Sequence, residues 1–180
     1  MNSACEPQTA LAMNPAFADP DVTTAFRTAM RTVTGTVMLV TARTATDEWR
    51  GMAATAFASV AMEPPTCLVC INRASSVHPA IIETGRFCVN VMHQDHHDLI
   101  PSFAKPECRD ARFRTGPWRV GTDGLPYLET AQSSLFCRLA ECVFVGTHDV
   151  IIGNVFAVVT RPDFNPLLYG DRTYLKQTTR

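Results

Sequence analysis

The sequence lacks the motifs that assign a chain to several common enzyme classes. It contains no G-x-S-x-G, no Walker loop and no G-x-G-x-x-G. These absences argue against a serine hydrolase, a P-loop nucleotide hydrolase and a Rossmann dinucleotide-binding protein. An enzyme with this sequence that used a nicotinamide would have to bind it without the Rossmann device.

Excess charge and long apolar runs are also missing. The formal net charge is −1, which gives no support for a surface that binds nucleic acid or an anionic membrane. The longest strongly apolar run, 150–159, is interrupted by Gly153 and Asn154 and is too short to span a membrane. The N-terminus has neither the basic start nor the apolar core of a secretory signal. We therefore expect a cytoplasmic protein without nucleic-acid or membrane partners.

The seven cysteines do not follow a disulfide or zinc-knuckle pattern. Their number is odd, and C-x-x-C pairs do not repeat along the chain. Cys67 and Cys70 fall within one apolar strand, where odd spacing directs their side chains to opposite faces. The cysteines are therefore expected to be mostly small core hydrophobes in a reducing compartment.

A histidine-rich segment, H-Q-D-H-H-D at 93–98, invites a metal-binding interpretation. On a helix, His93 and His97 would lie one turn apart, which is a spacing that chelates zinc. No glutamate completes an H-E-x-x-H frame, and the neighbouring polar residues are typical of a solvated helix face. We expect no metal site.

A length of 180 residues is typical of one domain with a sizeable core. Residues 1–18 mix proline, alanine and polar residues without a period and are expected to form a flexible arm, with 19–180 as the single domain. Asp19 or Asp21 is placed to cap a first helix, which Gly35 ends. Its apolar positions at helical spacing are Val22, Phe26, Met30 and Val33.

The segment 50–79 organises the rest of the chain. It opens with a run of small residues interleaved with Thr55 and Ser59, which predicts one strand ended by the Glu-Pro-Pro turn at 63–65. The small residues are Gly51, Ala53, Ala54, Ala56 and Ala58. Small side chains on a strand let a flat ligand approach the backbone closely. The same run would equally well pack under a helix.

A second strand and a polar loop complete this segment. The nearly continuous apolar run 66–71 predicts a strand buried on both faces. It leads into the loop 72–79, where Ser76 is placed to cap a helix with Pro79 in its first turn and Gly85 at its end.

Two polar groups are candidates for ligand binding. Asn72, Arg73, Ser75 and Ser76 bring one cation and several hydrogen-bond donors to a helix N-terminus, which is a common way to hold a phosphate. A capped helix beside a solvated arginine shows the same pattern. His148 lies where two apolar strands meet, so it is either an exposed turn residue or a residue over the mouth of a cavity. The residues alone leave these alternatives open.

The remaining pattern predicts a mainly β fold. Strands are expected at 36–41, 86–92, 134–145 and 148–161, a hairpin turn at 44–48, a short helix at 94–103, and a turn with a last strand at 167–175. Hairpins dominate and no βαβ alternation is present. We therefore predict about six or seven strands and three helices in a closed or split antiparallel β-barrel with α insertions.

The order of motifs resembles the short-chain flavin reductase family. The motifs are G-M-A-A-T-A-F-A-S-V at 51–60, P-P-T-C-L-V-C-I-N-R at 64–73, S-S-V-H-P at 75–79, G-R-F-C-V-N-V at 85–91, G-T-H-D at 146–149 and L-L-Y-G at 167–170. The resemblance covers roughly residues 22–175. It implies a split β-barrel homodimer that binds FMN or FAD and oxidises NADH or NADPH.

The resemblance also implies roles for individual residues. The residues implied along the flavin ring are Ala54, Thr55, Ala56, Ser59 and Val60. Those implied around the ribityl phosphate are Asn72, Ser75, Ser76 and His78, with Arg86 and Phe87 nearby. His148 matches the histidine that orients the nicotinamide, and Tyr169 matches the aromatic position of the L-x-Y motif.

The expected activity is hydride transfer from NADH to FMN or FAD, with reduced flavin supplied to a partner monooxygenase. No basic cluster is marked for the 2′-phosphate of NADPH, although Arg112, Arg114 and Arg119 are alternatives for that role. The rival hypotheses are a split-barrel flavoprotein that keeps its FMN and reduces another acceptor, and a non-catalytic flavin-binding barrel. A nucleic-acid-binding barrel is disfavoured by the charge balance.

Overall fold

The computed structural model describes residues 20–176. The helices in this part of the chain are α1 (Pro20–Arg31), α2 (Val77–Thr84) and α3 (Ile100–Ala104). Its strands are β1 (Gly35–Thr36), β2 (Met38–Arg43), β3 (Trp49–Ala54), β4 (Phe57–Met62), β5 (Pro65–Asn72), β6 (Arg86–Val91), β7 (Trp118–Val120), β8 (Pro126–Leu128), β9 (Ser133–Val145), β10 (His148–Thr160), β11 (Leu168–Gly170) and β12 (Thr173–Leu175). The arm predicted at 1–18 lies outside the described residues, as does Asp19.

Antiparallel hairpins dominate, as predicted. Seven strands form one sheet in the order β3-β2-β6-β9-β10-β5-β4, flanked by the small sheets β1-β11-β12 and β7-β8. The long β9–β10 hairpin confirms the strands expected at 134–145 and 148–161 to within a residue at each end. Among the described helices, none is long and apolar enough to cross a membrane.

The strand predicted over 51–60 is wrong as a single element. It is two strands, β3 and β4, which lie at opposite edges of the seven-stranded sheet. Only Thr55 and Ala56 separate them, so the sheet must curl until its two edges meet. The link is held by backbone bonds, since the Phe57 N–H donates to the Thr55 carbonyl and the Cys70 N–H donates to the Ala56 carbonyl, both at 3.0 Å. This curled sheet is the predicted split barrel.

Other predicted elements need smaller corrections. The strand at 36–41 is divided into β1 and β2, the helix at 94–103 is a 3₁₀ turn followed by α3, and the last strand is a hairpin of β11 and β12. The apolar run of β5 is not buried on both faces: Cys67, Val69 and Ile71 are buried, whereas the alternate side chains are half-buried. Helix α2 does end at Gly85, which has φ of 66°. Ser76 precedes α2 but makes no side-chain capping bond.

Packing in the core explains why position 51 of the small-residue run is a glycine. Gly51 on β3 lies under an aromatic cluster, and a Cβ there would be 2.8 Å from the ring of Phe103 and 3.1 Å from that of Phe113. The cluster also contains Trp49 and Trp118, whose rings contact Phe113. Packing against rings therefore requires a glycine at 51, whereas Thr55 and Ala56 are exposed.

Half of the six cysteines in the described residues are core hydrophobes. Cys67, Cys88 and Cys137 are buried, and all three are free thiols. Burial raises the pKa of the Cys88 thiol, and the hydrogen bond with Cys67, followed by burial, raises the pKa of the Cys137 thiol, so both stay protonated. Cys70, on the opposite face of β5 from Cys67, is only half-buried.

Two of the three histidines at 93–98 are buried and hydrogen-bonded. His93 is buried, and its Nδ1 accepts a bond from the Asp95 N–H. His96 is also buried: its Nδ1 accepts from the His93 N–H, and its Nε2 lies 2.9 Å from the Thr130 hydroxyl. His97 is exposed and lies beside Asp98. Within residues 20–176 no three His, Cys, Asp or Glu side chains are grouped as metal ligands.

Stability should fall on acidification because of His96. Burial, followed by the charge of His93, lowers the pKa of His96 to about 4, against 6.5 for an ordinary histidine. The unfolded chain therefore binds a proton at this residue below pH 6.5 that the folded chain refuses until about pH 4. We expect His96 to reduce the free energy of unfolding by about 2 kcal/mol between pH 7 and pH 5. Urea unfolding at the two pH values measures this.

The matched control is His96→Gln, which removes the titrating ring. Its stability should depend on pH less than that of the wild type, by the same amount. Equal pH dependence in the two proteins would rule out His96 as the cause.

Candidate functional site

The G-T-H-D turn and the polar loop after β5 are neighbours in the fold. His148, the first residue of β10, pairs with Asn72, the last residue of β5. The Arg73 N–H donates to the Thr147 carbonyl at 3.1 Å. His148 is exposed, and its Nδ1 lies 2.9 Å from the Thr147 hydroxyl. The structure therefore brings together two motifs that are more than seventy residues apart in the sequence.

Asp149 links this turn to α2. Its buried carboxylate lies 2.6 Å from Nε2 of His78, and the Cys142 thiol donates to the same Oδ2 at 3.4 Å. The other oxygen, Oδ1, lies 4.0 Å from Nε of Arg73 and has no hydrogen-bond partner among the described residues. Sequence reasoning quoted Asp149 in the G-T-H-D motif but assigned it no role. The available signal was an acidic residue one position after His148, on the inward face of an apolar strand.

The polar loop is organised by its own hydrogen bonds. The side-chain oxygen of Asn72 accepts from the Ala74 N–H, and its carbonyl accepts from the Ser75 N–H, both at 2.9 Å. The Ser75 hydroxyl is enclosed and has no described partner. Arg73 lies over the ring of Phe144, with its guanidinium carbon 4.6 Å from the ring centroid. The loop thus presents its backbone and the exposed Arg73 to solvent.

Ser76 borders a separate cavity of about 270 Å³ next to β3. The Arg112 guanidinium donates to the Gly51 carbonyl at 2.8 Å, to the Ser102 carbonyl at 2.9 Å and to the Ser76 hydroxyl at 3.5 Å. Burial, followed by the charge of Arg109, lowers the pKa of Arg112. The hydrogen bonds of Arg112 therefore link β3, α3 and the polar loop.

Thr55 and Tyr169 line one cavity of about 450 Å³, which we call the α1 cavity. Its walls are α1, the end of β3 and the β11–β12 hairpin. The lining residues are Phe26, Arg27, Met30, Arg31, Val33, Thr55, Tyr169, Gly170, Asp171 and Arg172. Gly35 sets the geometry, because it pairs with Tyr169 and a Cβ there would lie 3.2 Å from that of Thr55.

The α1 cavity and the His148 turn are connected through β5. Ala56 accepts a backbone bond from Cys70, two residues before Asn72 on the same strand, a separation of about 7 Å. Beyond Ala56, the edge strand β4 is exposed at Ser59, and a register shift leaves Val60 without a partner on β5. Ala54, by contrast, is half-buried against the core.

Two residues implied by the resemblance are not brought to this region. Phe87 has no exposed surface and packs in the core beside Gly153, so it offers no atom to a ligand. Arg86 pairs with Arg138 beyond the far end of α2. The eight residues of α2 make it about 12 Å long, so Arg86 is separated from the Ser76 loop by that distance. Arg86 instead lines a polar cavity of about 380 Å³.

Comparison with known proteins decides the family. The family described as flavin reductase like domain matches residues 30–177, most of the chain. The protein belongs to the flavin reductase like domain family. The resemblance carried by the sequence motifs is thereby confirmed.

Individual proteins are similar to this chain over most of their length. The FMN reductase (NADH) RutF of Pseudomonas syringae is 39% identical over 153 residues, covering 83% of this chain and 84% of that protein. The reductase component of the FADH(2)-dependent resorcinol hydroxylase of a Rhizobium species is 38% identical over 150 residues, with the same coverage. The Streptomyces globisporus NADH:FAD oxidoreductase, solved with NAD and FAD fragments, superposes with a TM-score of 0.81 over 89% of this chain and 95% of that one. At 24% identity, that structure shows the shared fold alone.

Proposed function

We propose that this member of the flavin reductase like domain family transfers hydride from NADH to FMN or FAD. The observation that carries the proposal is the exposed Thr55–Ala56 link, which joins the α1 cavity to the turn that holds His148. Thr55 shares the α1 cavity with Tyr169, and Ala56 bonds to β5, the strand that ends beside His148. The name of the Pseudomonas relative supports an NADH-dependent FMN reductase, and that of the Rhizobium relative supports a reductase component.

The residues present fit a flavin. Because β4 is an edge strand of the described sheet, alternate N–H groups on it point away from β5 and are available to the polar edge of a ring. The short side chains of Ala56, Ala58 and Ser59 leave the backbone accessible. A bound flavin supplies the chemistry of hydride acceptance.

The protein's own residues bind, orient and enclose the flavin and the nicotinamide. Thr55 and Ala56 support the ring, and the polar loop at 72–76 meets the phosphate end with Arg73 and backbone donors. His148 orients the nicotinamide by hydrogen bonding, and Tyr169 packs against it. Hydride transfer requires no acid or base, so neither side chain needs to move a proton. Holding the two rings face to face is the catalytic contribution.

We propose a homodimer, in line with the apolar surface that one copy leaves open. The exposed apolar side chains include Val60 and Met62 on β4, and Val158 and Val159 on β10. Met62 is 74% exposed at a sheet edge, where unpaired strands seek partners. Sedimentation velocity measures the stoichiometry. We further propose that the protein works in the cytoplasm and supplies reduced flavin to a partner monooxygenase, as the name of the Rhizobium relative indicates for that protein.

The activity is tested by NADH loss with purified protein and added FMN, FAD or riboflavin. Turnover that saturates in both NADH and flavin would establish the reductase, and the same assay would rank the flavins. Flavin binding without NADH loss would instead favour the non-catalytic flavin-binding barrel.

His148→Ala should affect the nicotinamide more than the flavin. We expect the KM for NADH to rise about fivefold, a loss of about 1 kcal/mol, because the exposed ring no longer orients the nicotinamide. The Kd for flavin should stay within about twofold, since a single hydrogen bond to a separate ligand is removed. Steady-state kinetics and flavin fluorescence titration measure the two quantities.

Thr147→Val is the matched control for His148→Ala. It removes the hydroxyl beside Nδ1 of His148 but keeps the ring and the turn. A smaller change in KM is expected. Equal changes in KM and Kd for His148→Ala would mean that His148 contacts the flavin or merely supports the turn.

A further inference from the structure

Three arginines and one carboxylate line the α1 cavity. Arg27 and Arg31 project from successive turns of α1, and Arg172 lies in the β11–β12 turn. None of the three makes an ion pair or a side-chain hydrogen bond with another described residue. Asp171 is the one carboxylate in the lining. The cavity therefore carries a formal excess of two positive charges.

Most other arginines in residues 20–176 are already engaged. Those with a charged or carbonyl partner are Arg43, Arg50, Arg73, Arg112, Arg119, Arg138 and Arg161. Two of these, Arg112 and Arg119, were alternatives for a phosphate site at the sequence level. The Arg112 guanidinium donates to backbone carbonyls, and the Arg119 guanidinium lies 3.1 Å from the Glu129 carboxylate. Arg73 stays exposed and belongs to the loop at 72–76. The arginines that line the cavity beside Thr55 are Arg27, Arg31 and Arg172.

The shape and walls of the cavity suit part of a nucleotide. Its volume of about 450 Å³ lies within the range of small-molecule sites, roughly 300–1,000 Å³. Apolar side chains, including Phe26, Met30 and Tyr169, form the rest of the wall. Guanidinium groups set beside apolar surface bind phosphate strongly, because each offers paired N–H donors in a plane.

We propose that the α1 cavity binds the phosphate groups of a nucleotide, with Arg27, Arg31 and Arg172 as the recognising cations. This proposal rests on the proposed function. Of the two nucleotides concerned, the nicotinamide dinucleotide is favoured, because Tyr169, proposed to pack against the nicotinamide, opens directly into the cavity. The flavin phosphate has its own donors in the loop at 72–76, at the other end of the site.

The test uses Arg27→Gln and Arg31→Gln, with Arg172→Asn as a third variant. Glutamine keeps the helix propensity of α1, and asparagine tolerates the left-handed conformation at 172, where φ is 62°. Each variant should raise the KM for NADH about fivefold and leave kcat unchanged. Arg119→Gln, which removes an exposed arginine elsewhere, is the matched control and should change KM by less than about twofold.

Salt and calorimetry separate charge recognition from structural damage. Raising KCl from roughly 0.05 to 0.3 M should increase the wild-type KM more than that of Arg27→Gln/Arg31→Gln, because the screened charges are absent from the double variant. Calorimetry with NADH and with inorganic pyrophosphate should show weaker binding to the double variant. An unchanged KM, or identical salt dependence in both proteins, would overturn the proposal.

Flavin titrations distinguish the two sources of phosphate. If the arginines bind the nicotinamide dinucleotide, the Kd values for FMN and riboflavin stay unchanged in the double variant. A rise for FMN but not for riboflavin, with an unchanged KM for NADH, would overturn the assignment to the nicotinamide. Failure of the proposed function is seen separately, as a wild-type protein that consumes no NADH with any flavin, whereas the calorimetric comparison does not depend on turnover.

Discussion

Thr55→Trp is expected to weaken flavin binding by at least about a hundredfold, or about 2.7 kcal/mol, and to abolish NADH oxidation with it. Thr55 is exposed at the link between β3 and β4, on the surface where the ring is proposed to lie. An indole there would occupy that surface and the adjoining mouth of the α1 cavity. Fluorescence titration with FMN and the NADH assay measure the two losses.

The fold should survive this substitution. Thr55 points to solvent, so the free energy of unfolding should change by no more than about 0.5 kcal/mol. Thr55→Ser, which keeps the hydroxyl and adds no bulk, is the matched control and should bind flavin nearly as the wild type does. Unchanged FMN affinity in a folded Thr55→Trp protein would show that the ring lies elsewhere.

Asp149→Ala should damage both stability and flavin binding. Its carboxylate is the partner of His78 Nε2 at 2.6 Å and faces Arg73, so it ties the β9–β10 turn to the polar loop. Removing it leaves a half-buried imidazole without its partner, at a cost of about 1–3 kcal/mol in the free energy of unfolding. With the loop released, we expect the Kd for flavin to rise about thirtyfold. Chemical denaturation and fluorescence titration give the two numbers.

Asp149→Asn separates the hydrogen bond from the charge. Its side-chain oxygen can still accept from His78, so stability and affinity should fall by less than in the alanine variant. Wild-type affinity and stability in Asp149→Ala would refute the role of this carboxylate. Because His148 is the neighbouring residue, the KM for NADH should be followed in the same proteins.

Elements with a local sequence pattern could be predicted from the sequence. The alternation in β9 and β10 and the short Gly146-Thr147 connection predicted the long hairpin almost to the residue. Gly85 ended α2 through its left-handed conformation, which a glycine adopts at little cost. The nearness of the polar loop to His148 was not predicted, because no local pattern specifies that β5 pairs with β10.

The division of the small-residue run could not be predicted in this way. No glycine or proline marks Thr55–Ala56, so the sequence shows continuous strand propensity where the sheet curls from one edge to the other. The same tertiary arrangement explains Gly51, which is small because Phe103 packs on it. Whether a small residue admits a ligand or a ring of the core depends on contacts distant in sequence.

The family resemblance gave the same role to two neighbouring residues of β6, whereas the structure places them in different environments. Arg86 and Phe87 were both implied to lie near the phosphate, yet the side chains of β6 alternate, leaving the arginine exposed and the phenylalanine in the core. The arginines of α1 were overlooked for a related reason. Their helix reads as an ordinary amphipathic segment until the β11–β12 hairpin is seen opposite it.

The two-residue link between β3 and β4 couples ligand binding to closure of the sheet. A molecule resting on Thr55 and Ala56 touches both ends of a seven-stranded sheet at once, so any opening of the barrel seam must first release it. The bound molecule then stabilises only the closed sheet, and this stabilisation increases with the logarithm of the molecule's free concentration. Amide exchange in β3 and β4 would therefore report the concentration of free flavin.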